Sequence, residues 1–319
     1  MEILIVVLLA AHLLAMNLAG AGPLVSLLFE WQEAGEESAE PQTTEGPRLS
    51  GQVARWLADI SLGSYLLGML IGGGLLTLVW SREERHQLTE NLASRIGFGI
   101  AELVFSLLLM GFASIWWRWA GRGASWSRWA FRLACILSAT NLLYHFPMLF
   151  AVADHLIAQR DAVAGELSSA SFRGLAFSSE ILSRAIHFIL ASFAACGVAV
   201  MVFANRATEG AVSLAEETEL DRLASNGAWQ ALVTTGLQPI VGWWVMMSLP
   251  AAAQQRLMGG DSLHTLIFVV GVGAGLGLVH PLFAAASGDR PRESTFLTVA
   301  LFAVTVVCMT ATLRMAVGT

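Results

Sequence analysis

The first 29 residues, MEILIVVLLAAHLLAMNLAGAGPLVSLLF (1–29), contain Glu2 as their one acidic side chain and no arginine or lysine. A run of about 20 apolar residues is long enough to cross the hydrocarbon core of a bilayer as an α-helix. The stretch is longer than the apolar core of a secretory signal peptide, and it lacks the basic residues that precede such a core. It therefore predicts a mature membrane-spanning helix with a titratable imidazole, His12, inside it.

The same pattern recurs along the whole chain of 319 residues. Hydrophobic residues make up 55% of the sequence and charged residues 13%, about half the charged share of a soluble domain. We predict an all-α integral membrane protein in which residues 1–319 form a single transmembrane bundle of about eight helices. The predicted helices cover residues 3–29, 60–80, 96–119, 127–152, 178–204, 229–250, 263–286 and 295–316.

The arginines predict the orientation of this bundle. Arg118, Arg122, Arg128 and Arg132 lie around the connection between the third and fourth helices, whereas the N-terminus carries no arginine. Because basic loops stay on the cytoplasmic side, the N-terminus is predicted to lie outside. With eight helices, the C-terminus then lies outside as well. A net charge of −6 argues against a nucleic-acid partner.

Five histidines lie in or at the start of predicted helices: His12, His145, His187, His264 and His280. An ionisable group inside a membrane is costly, so each is either a functional residue or an imidazole hydrogen-bonded to a neighbouring helix. His12 and His187 lie at matched depth near the outer face. Neutral imidazole is the usual axial ligand of haem in a helical bundle, which makes a b-type haem the leading candidate. Small residues after His187 would either make room for the macrocycle or pack helices closely.

Five short segments occur in a recognisable order. They are His12 followed after four residues by Asn17-Leu18, then LLGMLIGG (66–73), GIAEL (99–103), SATNLL (138–143) and SRAIH (183–187). Over roughly residues 5–205, this order resembles subunit I of the cytochrome bd quinol oxidases.

The resemblance implies one or two b-type haems and a set of site residues. His12 matches a haem ligand at the oxygen-reducing end of the family's subunit, and His187 matches the ligand of a low-spin haem b. Glu102 matches a carboxylate implicated in proton delivery. The matched motifs also contain Asn17, Asn141 and Arg184. The resemblance further implies the bacterial inner membrane, a second polytopic subunit, and a quinone or an external cytochrome c as electron partner.

The later part of the chain departs from the family pattern. AAAQQRLMGGDS (251–262) stands where the family has a long hydrophilic quinol-binding loop, and the family's methionine ligand has no counterpart. His264 could replace that methionine and give a bis-histidine haem with His187. Met110 occupies the place of a second glutamate, and the ligand of a third haem is missing. Whether the protein reduces oxygen, and so whether it is an oxidoreductase, stays open. His145, beside Pro147, is predicted to line the outer pocket that would hold the haem.

Two other interpretations remain at this point. Asn17-Leu18 and Pro23 recur as Asn141-Leu142 and Pro147 with an offset of 124 residues. This repeat would fit a secondary transporter built from inverted three-helix repeats, with broken helices around a site at the midplane. The third interpretation is a subunit without cofactors that acts as a scaffold in a membrane redox complex.

Overall fold

A computed structural model describes residues 2–39, 48–119, 125–159, 165–208, 210, 213–289 and 291–317. Within these ranges the chain forms helices and no strand. The helices are α1 Glu2–Ala39, α2 Leu49–Val79, α3 Arg82–Asn91, α4 Ala93–Trp119, α5 Ser125–Thr140, α6 Phe146–Gln159, α7 Ser169–Ala176, α8 Ser179–Thr208, α9 Leu214–Ser248, α10 Ala251–Gln255, α11 Ser262–Gly277, α12 Val279–Ala286 and α13 Pro291–Val317. A π-helical segment, Asn141–His145, connects α5 to α6. A turn over Arg256–Gly260 follows α10, with Gly259 at a φ of 108°.

The predicted all-α membrane bundle is confirmed. Seven spans of the described chain are long and apolar enough to cross a membrane, and they correspond to α1, α2, α4, α5–α6, α8, α11–α12 and α13. The predicted helix over residues 229–250 also exists, as the second half of the 35-residue α9. α9 is more polar than the seven spans, because it contains Gln230, Gln238 and an acidic first turn. Only its second half is an apolar run.

The backbones of α8 and α9 approach each other directly where these two helices cross. A Cβ atom placed on Gly197 of α8 would lie 2.5 Å from the backbone oxygen of Gly227, and one placed on Gly227 would lie 2.7 Å from that of Gly197. Two glycines at a crossing let helix backbones approach each other directly, as is common in membranes. Gly197, one of the small residues that follow His187, therefore serves close packing of α8 against α9. It leaves no room for a macrocycle at this crossing.

In the same part of the bundle, α1 and α2 extend beyond their predicted limits. α1 continues to Ala39, so Glu30 lies in the helix beyond its predicted end at residue 29, and it is 2% exposed. Arg132 of α5 binds it with two hydrogen bonds, Nε to Oε2 at 2.8 Å and the second guanidinium nitrogen to Oε1 at 3.1 Å. α2 begins at Leu49, and its buried Val53 and Leu57 join the core there. Residues 53–59 therefore belong to the same helix as the predicted span 60–80.

The helices around Pro23 and Pro147 are continuous. Pro23 lies inside α1, and one span runs from Trp126 to Ala158 through the π-helical segment. Proline lacks an N–H and its ring collides with the carbonyl four residues earlier, and a π-helical turn relieves this collision without ending the helix. The broken helices that the transporter interpretation expects are therefore not found in this described part of the chain.

Candidate functional site

His12 lies at the interface of α1 and α2. Its Nδ1 atom is 2.8 Å from the carbonyl oxygen of Gly68. A Cβ atom on Gly72 would lie 2.7 Å from the ring carbon Cε1, so glycine is needed to seat the imidazole. A metal-ligating histidine commonly donates one ring N–H to a carbonyl and ligates with the other nitrogen. The contact therefore suits both a hydrogen-bonded core histidine and an oriented ligand.

His187 lies at a different interface, between α8 and α9. Among the described residues its buried Nδ1 atom has no hydrogen-bond partner. Gln238 of α9 donates to the backbone oxygen of His187 at 3.4 Å, and its own buried Oε1 atom likewise has no partner within the described chain. The structure does not join His12 and His187 in one site, since one faces α2 and the other α9.

Arg184 lies one turn before His187 and links α8 to α6. One guanidinium nitrogen donates to Asp154 at 3.2 Å and another to Glu180 at 2.7 Å. Its buried Nε atom has no hydrogen-bond partner among the described residues. Sequence reasoning selected Arg184 but missed both carboxylates; the i, i+4 spacing of Glu180 and Arg184 on one helix was the available signal.

Glu102 and His145 form a pair across α4 and the π-helical segment. Oε1 of Glu102, a 9% exposed residue, makes a short hydrogen bond with Nδ1 of His145. One turn further along α4, the Ser106 hydroxyl accepts a bond from the Asn141 side chain at 3.4 Å. Sequence analysis placed His145 in the same pocket as other site residues but did not pair it with Glu102. A π-helical turn often marks a functional position because it turns side chains out of helical register.

A double-mutant cycle on Glu102 and His145 is expected to show that the two side chains stabilise the protein as a pair. We expect His145→Leu to lower the free energy of unfolding by about 1–3 kcal/mol, the cost of leaving the buried Glu102 side chain unsatisfied. The double variant with Glu102→Leu should be no less stable than the single variant, because both polar groups are then gone. Denaturant unfolding of the four proteins in one detergent measures the cycle, and simple additivity would contradict the pairing.

The remaining site residues lie elsewhere. Asn17 of α1 is buried and accepts a hydrogen bond from Ser192 of α8 at 2.9 Å, so it joins two helices. His264 is at the start of α11, with Nδ1 2.7 Å from Oδ1 of Asp261. That side-chain contact, with help from backbone N–H groups, lowers the pKa of Asp261. None of the contacts described for His264 joins it to His187, and His280 is exposed on α12.

The arrangement gives three polar centres within helices rather than one cluster. They are His12 with Gly68, the Glu102–His145 pair, and the group of Arg184, His187 and Gln238. Among the described residues there is no group of three histidine, cysteine or acidic side chains able to hold a bare metal ion. A haem needs only one or two axial ligands from the protein, so this finding bears on ion sites and not on a macrocycle.

Comparison with solved structures identifies the architecture. The chain is similar to the structure of bd oxidase from Geobacillus thermodenitrificans, with a TM-score of 0.68 and 13% sequence identity. The match covers 99% of this chain and 87% of that one. The fold is that of a bd oxidase chain. The structural match extends beyond residues 5–205, which carried the resemblance in sequence, and includes α9 to α13. No family model and no curated protein matches the sequence.

Proposed function

We propose that this protein is a membrane cytochrome that holds a b-type haem at the interface of α8 and α9, with His187 as an axial ligand. The observation that carries the proposal is a group of three buried polar atoms without hydrogen-bond partners in the described structure: Nε of Arg184, Nδ1 of His187 and Oε1 of Gln238. Native proteins rarely leave such atoms unpaired, and a cluster of them calls for a bound group or water.

The residues around His187 suit a ligand of this kind. Its imidazole faces α9, where a Cβ atom placed on Gly242 would lie 3.7 Å from Cε1. Asp154 and Glu180 fix the Arg184 side chain one turn away. A bound haem would supply one-electron transfer, and the apolar surroundings would contribute to its reduction potential. The protein contributes ligation, orientation and exclusion of water.

A second haem at His12 extends the proposal. The Gly68 carbonyl fixes the orientation of the His12 ring and leaves Nε2 as the candidate ligand atom. Glu102 and His145 could hold a proton within the membrane, since either member of the pair can carry it. That His264 is a second haem ligand together with His187 stays a prediction. The contact between His264 and Asp261 does not support this role.

The spans make the protein a multi-pass membrane protein. The bd oxidase fold supports, as part of the proposal, a place in a respiratory-type complex in the bacterial inner membrane, with a second polytopic subunit. The exposed apolar side chains of α4 and α9 offer surface for lipid or for such a subunit. The proposed electron partner is a quinone or an external cytochrome c.

An optical spectrum tests the proposal. The purified protein reduced with dithionite is expected to show the α-band of a b-type haem, and His187→Ala is expected to remove the low-spin signal. His86→Ala is a matched control because His86 is a solvent-exposed histidine on α3 whose ring contacts Glu90; its spectrum should be unchanged. A colourless wild-type protein would refute the cytochrome, and an unaltered spectrum in His187→Ala would refute the ligand assignment.

A further inference from the structure

A narrow cleft lies where α8 and α9 meet α13. Four of its lining residues have oxygen-bearing side chains: Asn205 and Thr208 of α8, Asp221 of α9 and Thr295 of α13. The other lining residues are alanines and a leucine. Asn205 comes 18 residues after His187 in the same helix, which separates the two by about 27 Å along the axis. The cleft is therefore distinct from the candidate haem site.

Two buried oxygen atoms in and beside this cleft lack hydrogen-bond partners. One is Oδ1 of Asn205, which has no partner within the described chain. The other is Oγ1 of Thr298, a residue of α13 that is 0% exposed. Because residues i and i+3 of a helix share one face, Thr298 lies on the same side of α13 as Thr295, one turn further along. Native proteins rarely leave such atoms unpaired, so the cleft calls for a bound group.

The charge of the lining favours a positive group. Asp221 contributes a carboxylate to the cleft, and its exposed side chain gives access from the aqueous phase. The hydroxyl of Thr208 donates to the carbonyl oxygen of Ala204 at 2.7 Å, which leaves the lone pairs of its oxygen available. The adjacent arginines, Arg206 and Arg222, are exposed and point to other sides of their helices, because consecutive residues are about 100° apart.

The donor set and the size of the cleft select a small monovalent cation. Carboxylate, amide and hydroxyl oxygens are hard ligands, which suit alkali and alkaline-earth ions rather than zinc or copper. Calcium takes about six to eight oxygen ligands, usually with several carboxylates among them, whereas one carboxylate lines this cleft. The cleft leaves no room for a water molecule, and a sodium ion without its hydration shell is smaller than water.

We propose that this cleft binds one sodium ion through Oδ1 of Asn205, the carboxylate of Asp221 and the hydroxyl oxygens of Thr208 and Thr295. The ion neutralises Asp221 and links α8, α9 and α13, three helices that are distant in sequence. The site needs no haem, so it stands or falls independently of the proposed cytochrome.

Melting of the full-length protein in lipid nanodiscs, followed by tryptophan fluorescence, tests the site. We expect sodium chloride to raise the melting temperature saturably by about 3–6 °C over choline chloride at equal ionic strength, and Asp221→Asn to abolish this rise. Glu219→Gln is the matched control, because it removes an exposed carboxylate of the same helix that does not line the cleft. An absent rise in wild type, an equal rise with potassium chloride, or an equal loss in Glu219→Gln would overturn the site.

A gain of function keeps the proposal testable if Asp221→Asn does not fold. Asn205→Asp places a second carboxylate at the same cleft, and two carboxylates around one ion suit calcium. We expect millimolar calcium to raise the melting temperature of Asn205→Asp by several degrees more than that of wild type. A variant that responds to calcium no more than wild type would contradict the donor set.

Arg292→Gln tests a competing source of positive charge, because Arg292 stands three residues before Thr295 in the sequence. With sodium as the occupant, this variant should show the wild-type rise in melting temperature. A sodium response that is found only in Arg292→Gln would mean that the arginine neutralises Asp221 in the wild-type protein, and would overturn the site.

Discussion

Replacing Gly197 with leucine is expected to force α8 and α9 apart and to abolish most of the stability of the bundle. The new Cβ would lie 2.5 Å from the Gly227 oxygen and 2.7 Å from the Ala231 nitrogen, both of which are backbone atoms. A side chain can rotate away from such a collision, whereas a helix backbone can only move as a whole. The cost should therefore exceed the roughly 1–3 kcal/mol of ordinary overpacking.

Gly236 provides the matched control for this substitution. It lies on α9, and a Cβ atom there would meet nothing within 4 Å. Gly236→Leu should keep the wild-type melting temperature, while Gly197→Leu should show a large decrease or no folded protein on size-exclusion chromatography. Similar melting temperatures for the two variants would show that the backbones do not meet as described.

The same separation would reach the candidate haem site. Gln238 of α9 donates to the backbone oxygen of His187 on α8, and a Cβ atom on Gly242 would lie 3.7 Å from the His187 ring. The geometry of the site therefore depends on how closely these helices pack. If a milder substitution, Gly197→Ala, gives folded protein, we expect it to lose haem more readily than Gly236→Ala does. Haem retention after passage through a column reports this difference.

Sequence alone was sufficient for the helices because each span carries its own signal. A run of about 20 apolar residues is recognisable without knowing its neighbours. His12, Glu102 and His187 could also be selected singly, since an ionisable residue inside such a run is unusual. What the sequence could not supply was the partner of each one. Glu102 and His145 are 43 residues apart, and their contact depends on the rotation of α4 and on the π-helical turn.

Charged residues near the ends of spans were the least predictable. His155 lies near the end of a span, where a histidine is usually solvated, yet Glu180 on another helix binds it. Glu30 lies just beyond the first predicted helix, and Arg132 was counted among the loop arginines that orient the bundle. The two are nevertheless paired inside the bundle. Local composition reports how many charges flank a helix. It contains no information on which of them are neutralised by a helix distant in sequence.

The Arg132–Glu30 pair leads to the second large expected effect. Arg132→Leu leaves the carboxylate of Glu30, 2% exposed, without its bidentate partner. Removing one member of a buried ion pair typically costs about 3–5 kcal/mol, because the remaining charge is neither solvated nor compensated. We expect a corresponding decrease in the free energy of unfolding, measured by denaturant titration in detergent. Arg55→Leu, which removes an exposed arginine of α2, is the control for loss of positive charge.

The double variant Glu30→Leu/Arg132→Leu distinguishes the pair's contribution from the cost of breaking it. Both charges are then absent, and apolar side chains replace them beside Cys135 and the tryptophans of the same core. Such replacements are often neutral or stabilising, so the double variant should recover most of the stability that the single variant loses. A double variant as unstable as Arg132→Leu would mean that the pair stabilises the bundle outright. Recovery would mean instead that α1 and α5 are held by apolar packing, and that the charges fix only their register.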